Sequence, residues 1–136
     1  MSVVANSMNE RITILVVEDN TEVRQLSVTT LEHLGYDVLD APDATTALGI
    51  LDTKHEIIDL LFSDVMMSGG IDGFELAEQT SRRFPHIKIL MTSGGQINLA
   101  AAPAGIGNAA FPIVRKPFHL PELSAALTKV LKHERD

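Results

Sequence analysis

The chain has 136 residues, 45% of them hydrophobic, which suits a single domain with its own core. Its formal net charge of -7 argues against a nucleic-acid surface, because phosphate binding needs clustered Lys and Arg. There is no Cys, which excludes disulfides, thiolate catalysis and zinc–thiolate sites and fits a cytoplasmic protein.

Residues 1–10 show no periodicity and are expected to be a flexible leader before a domain at 11–136. They lack the basic region and long apolar run of a signal peptide, and no apolar stretch in the chain is long enough to span a bilayer. Residues 12–17 (ITILVV) form a continuous β-branched run, as expected of a strand buried on both faces. Residues 21–34 place Val23, Leu26, Thr30, Leu31 and Leu34 at helical spacing, and Gly35 supplies a stop. A short second strand follows at 36–39. Asp43 then caps a second helix whose apolar face is Ala44, Ala47, Leu48 and Leu51. A third strand is expected over 57–62, running into Ser63-Asp64. A third helix is expected over 74–84, preceded by Asp72-Gly73 and stopped by Pro85. The fourth strand is read at 87–91, ended by Thr92-Ser93-Gly94-Gly95. Residues 96–108 are rich in Ala and Gly with Pro103 among them, so any helix there is short or weak. A fifth strand is read at 110–114. A final helix at 121–132 has Pro at its first position and Leu123, Leu127, Val130 and Leu131 as its stripe.

Strands alternating with helices imply an α/β fold with a parallel sheet covered on both faces. Such sheets bind ligands just beyond the carboxyl ends of their strands. Those ends carry Glu18-Asp19, Asp64, Thr92-Ser93 and Lys116. Three converging carboxylates repel one another, and a hard divalent cation such as Mg²⁺ or Mn²⁺ relieves this. A carboxylate can also attack phosphorus, giving an aspartyl phosphate. A metal, an ammonium and a hydroxyl can then stabilise charge on the transferred group. Asp64, central in the set, is the best nucleophile. Asp19 is the best direct metal ligand, with Glu18 binding through water or assisting. Lys116 and Thr92 would each contact a phosphoryl oxygen. Taken singly, each group has a bland reading as a solvated turn or strand-end residue. Their coincidence at four strand ends favours a site. The five His residues lack ligand spacing and read as surface residues.

The segments VVEDN (16–20), SDVMM (63–67), DGFEL (72–76), MTSG (91–94) and KPF (116–118), in this order and spacing, resemble the response-regulator receiver domains, the CheY-like superfamily. The resemblance spans about 11–131. It implies a doubly wound, flavodoxin-like five-stranded sheet in the order 2-1-3-4-5, for which the family is a standard example. It implies Mg²⁺ held by Asp19, Asp64 and the backbone carbonyl of Met66. It also implies a histidine kinase or phosphotransfer protein as phosphodonor, and a switch rather than an enzyme with a separate substrate. Thr92 would move toward the phosphoryl group and reshape a face that includes the last helix, through which a downstream protein would bind. Homodimerisation through that face is left open.

The chain departs from the family pattern in three places. Ser68 stands where Pro is usual, with one extra residue before Asp72-Gly73, and Gly69-Gly70 adds backbone freedom in a form that resembles receivers attached to hybrid kinases. Ile113 occupies the usual aromatic switch position, with Phe111 on the same strand face. The Ala/Gly-rich 96–108 segment is the third departure, and phosphorylation is expected to order it. Among rivals, a constitutive pseudo-receiver interaction module conflicts with the intact Asp19, Asp64, Thr92 and Lys116. A flavin-binding protein needs a glycine- and hydroxyl-rich loop after the first strand, where this chain has acidic VVEDNTE. A metal-dependent phosphatase would need a second catalytic acid motif, and none is evident.

Overall fold

A computed structural model describes residues 11–67, 72–94 and 111–133. The leader and the 96–108 segment lie outside the described residues, as do Ser68 and the Gly-Gly pair. The first apolar run becomes β1 (Thr13–Val17), buried along its whole length. It is followed by α1 (Thr21–His33), β2 (Asp37–Ala41), α2 (Ala44–Lys54) and a 3₁₀ turn at His55–Ile57. Then come β3 (Leu60–Asp64), α3 (Gly73–Arg83), β4 (Lys88–Ser93), β5 (Ile113–Arg115) and α4 (Leu120–His133). All strand pairs are parallel, and the sheet order is β2-β1-β3-β4-β5. This is the doubly wound order expected from the sequence.

The alternation of side chains along the strands divides the core in two. Ile14, Val16, Leu60, Phe62 and Leu90 face Leu31 of α1 and Leu123 and Leu127 of α4. Leu15, Val17, Leu61, Ile89 and Met91 face Ala47 and Leu51 of α2 and Leu76 and Ala77 of α3. Three helices begin with a side-chain cap. Asn20 accepts from the Val23 N–H at 2.9 Å, Asp43 from Thr46 at 2.7 Å and Asp72 from Glu75 at 2.9 Å. These caps start the helices immediately beyond the carboxyl edge of the sheet, so strand ends and helix starts share one surface.

Several expected boundaries move. The third strand begins at Leu60 rather than at Ile57, because residues 55–57 wind into the 3₁₀ turn. Asp59 then closes onto β1: its carboxylate accepts from the Thr13 N–H at 2.9 Å, and its own N–H donates to the Thr13 carbonyl at 2.8 Å. The fourth strand continues through Thr92 and Ser93, which pair with Asp64, Val114 and Arg115. The final helix begins at Leu120, one residue before the Pro. On α1 the expected stripe is also displaced. Leu26 is 67% exposed, and Ser27 and Leu31 are the buried residues.

Candidate acidic site at the carboxyl edge

Asp64 is the last residue of β3 and only 8% exposed. Glu18 directly follows β1 and is 4% exposed, held by its N–H to the Ala41 carbonyl at 3.2 Å. Its side chain accepts from the Asn20 N–H at 3.1 Å, so the cap residue of α1 also orients the carboxylate. Lys116 follows β5, which is short and, among the described strands, pairs only with β4. The Lys116 N–H donates to the Ser93 carbonyl at 2.8 Å, carrying the strand pairing one residue further. Its ammonium donates to Glu18 Oε1 at 2.7 Å and to Asp64 Oδ2 at 3.3 Å. One oxygen each from Glu18, Asp19 and Asp64 lie within 4.8 Å of one another. Asp19 faces solvent, which opens the cluster to an incoming ion.

Burial pushes the Glu18 carboxyl above its ordinary range, and the negative charge of Asp64 adds to this. Hydrogen bonds from Lys116 and Asn20 oppose the rise without cancelling it. For Lys116, burial favours the neutral amine, but the two carboxylates outweigh it and hold the ammonium above its usual value. The lysine is therefore charged throughout the physiological range.

Thr92 is 4% exposed, and its Oγ1 is a buried atom with no hydrogen-bond partner among the described residues. A buried hydroxyl left unpaired is costly unless a ligand or water meets it. Met66, two residues after Asp64, has an exposed side chain, and its N–H lies 3.4 Å from Asp64 Oδ1. The donor set consists of carboxylates, a hydroxyl and backbone groups. These are hard oxygens that fit Mg²⁺ and offer nothing to a soft metal. Ile113 and Phe111 both pack, half-buried, against the same core cluster. His55 departs from the surface reading: it is half-buried and stacks on Phe84 at 4.6 Å between ring centroids.

Sequence reasoning read Gly73 only as part of a helix start. A Cβ at this residue would lie 1.8 Å from the Asp64 carbonyl oxygen and 2.8 Å from the Val65 carbonyl oxygen. The Gly73 N–H donates to that Val65 oxygen at 2.9 Å. The absent side chain thus lets α3 seat directly on the backbone of the central aspartate. A glycine immediately after a helix cap was the available signal. Arg24, whose guanidinium bridges the Glu18 carbonyl and Asp40, was also missed.

Sheet order and helix placement are those of the CheY-like, flavodoxin-type fold. Residues 14–128 match the family model of the response regulator receiver domain, and the chain belongs to this family of two-component signalling modules. It is 31% identical over 120 residues to the nitrogen assimilation regulatory protein NtrX of Azorhizobium caulinodans, covering 88% of this chain and 26% of that protein. It is 31% identical over 132 residues to the sensor kinase CckA of Brucella abortus, covering 96% of this chain and 14% of the kinase. The chain therefore spans only a minor part of these two relatives. A crystal structure of a response regulator receiver domain protein from Clostridium thermocellum superposes with a TM-score of 0.79 at 26% identity, covering 91% of this chain and 97% of that one. No helix among the described residues is long and apolar enough to cross a membrane.

Proposed function

We propose that this chain is a phosphorylation-dependent signalling switch in which Asp64 accepts a phosphoryl group from a histidine kinase or phosphotransfer protein. The observation that carries the reading is the Lys116 ammonium reaching both Glu18 and Asp64 inside a cluster of three carboxylates. An Asp64 oxygen attacks phosphorus, the bond from phosphorus to the donor's histidine nitrogen breaks, and that nitrogen keeps the bonding pair. Lys116 gives up part of its contact with the carboxylates to meet an oxygen of the incoming group. The unpartnered Thr92 hydroxyl donates to another, satisfying its own buried atom. Asp19, Asp64 and the Met66 carbonyl would hold Mg²⁺, with Glu18 assisting. Bound there, the ion offsets charge on the phosphoryl oxygens. The switch acts on itself and has no separate substrate. The proposal extends to a receiver unit at 11–136 behind a short leader, a cytoplasmic setting, and a downstream protein bound through the face that includes α4.

The test is incubation with a small phosphodonor such as acetyl phosphate and Mg²⁺, followed by intact mass measurement. Wild type should gain one phosphoryl group, and Asp64→Asn should gain none while keeping its circular dichroism spectrum. Lys116→Ala should accept the group more slowly. A wild type that gains no mass would favour a constitutive interaction module instead.

A further inference from the structure

Arg24 lies in the first turn of α1, where its N–H donates to the Asn20 carbonyl at 2.8 Å. Its guanidinium points back toward the sheet and is only 15% exposed. The Nε donates to Asp40 Oδ2 at 3.0 Å, and Nη1 donates to the backbone carbonyl of Glu18 at 2.9 Å. Asp40 is the penultimate residue of β2, in register with Val16. One planar fork therefore ties together the end of β1, the start of α1 and the end of β2. The carbonyl it grips belongs to the peptide joining Glu18 to Asp19. That peptide is planar, so fixing its oxygen fixes the direction in which the chain enters Asp19. Glu18 is also held by its N–H on Ala41 and by its carboxylate on Lys116 and Asn20. The arginine bond acts on the Asp19 side of this residue.

We propose that Arg24, held in place by Asp40, is a positioning residue for the cation site: it sets the Glu18–Asp19 peptide so that the two carboxylates and Asp64 converge. This rests on the reading of the cluster as a Mg²⁺ site. Simple electrostatics predicts the opposite sign. A guanidinium near three carboxylates repels an incoming cation, so its removal should tighten binding if charge alone mattered. The anchor instead predicts weaker binding on removal. Asp40 also keeps the guanidinium engaged away from the carboxylates, so its loss should weaken binding too; charge alone would do the same at this position, and the neutral Asp40→Asn separates the two causes.

The experiment is calorimetric Mg²⁺ titration of the full chain, paired with the amide shifts of Asp19 and Asn20 and with thermal unfolding in chelator. Arg24→Ala should weaken Mg²⁺ affinity about tenfold, at the lower end of what loss of a ligand-orienting partner costs. Asp40→Ala should shift it in the same direction. The double variant should fall within about twofold of Arg24→Ala alone, because the two residues act through one contact chain. Asp40→Asn keeps an acceptor for Nε and should bind like wild type. A lower melting temperature with unchanged or tighter Mg²⁺ binding in Arg24→Ala, whatever Asp40→Ala does, would overturn the anchor while leaving the site intact. A wild type without saturable Mg²⁺ binding that Asp19→Asn abolishes would sink the site itself.

Discussion

Within β3, Leu60, Leu61 and Phe62 are buried and apolar, and the next two residues, Ser63 and Asp64, are equally buried but polar. The change recurs in β4, where Leu90 and Met91 give way to Thr92 and Ser93, and in β1, where Val17 is followed by Glu18. The body of the sheet and its carboxyl edge thus share strands and burial but follow different rules. In the body, apolar surface leaves water and the fold gains from it. At the edge, charged and hydroxyl groups lose water and recover only part of that cost through Lys116, Asn20 and backbone partners. In the proposed reading the edge serves a ligand, and the body supplies the stability that tolerates it.

Substitutions at the two ends should separate these roles. The largest effect belongs to the body. Phe62 fills the cluster under α1 and α4, with its ring edge-on to Phe118 at 6.2 Å between centroids. Phe62→Ala should lower unfolding free energy by about 3–5 kcal/mol in chemical denaturation. A loss as small as that of a surface substitution would break the comparison. Next comes the junction of body and edge. In Gly73→Ala the added methyl must push Asp64 and Val65 away from α3. It should cost about 1–3 kcal/mol, as overpacking does, and slow phosphoryl acceptance as well. A variant that lost stability but accepted phosphoryl at the wild-type rate would show that the Gly73 seat serves packing alone.

How far the sequence foretold this differs between the two ends. The continuous apolar runs of β1 and β3 and the alternation of strands with helices were legible, because full burial leaves an unbroken hydrophobic signature. The edge residues were legible too, since strand ends in a parallel sheet share one side. The stripe of α1 was misjudged at Leu26, where spacing marked an inward residue and packing against the sheet selected Ser27 instead. The start of β3 was misplaced because Asp59 closes onto Thr13 across 46 residues, a contact no local pattern encodes. Arg24 was missed for the same reason, and Gly73 because its place after a helix cap hinted at closeness without naming the carbonyl it meets. Gly73 acts by being small beside a distant carbonyl, and Arg24 by bridging chain segments that meet only after folding.

The smallest effect is the most specific to the edge. The folded protein holds the Glu18 carboxyl above its ordinary pKa, so from that value up to the raised one the folded state carries more protons than the unfolded state. Stability contributed by this group is present below the ordinary value and declines as pH rises through the window. Glu18→Gln removes the titration and retains an acceptor for Lys116. In chelator, the variant should therefore match wild type at acidic pH and become progressively more stable than it as the pH approaches neutrality. Parallel stability curves for the two proteins across this range would mean that the edge bears no burial cost at Glu18. The same substitution should weaken Mg²⁺ binding. A gain in metal-free stability coupled to a loss in cation affinity is what a ligand-directed edge requires, and no substitution in the apolar body should reproduce that pairing.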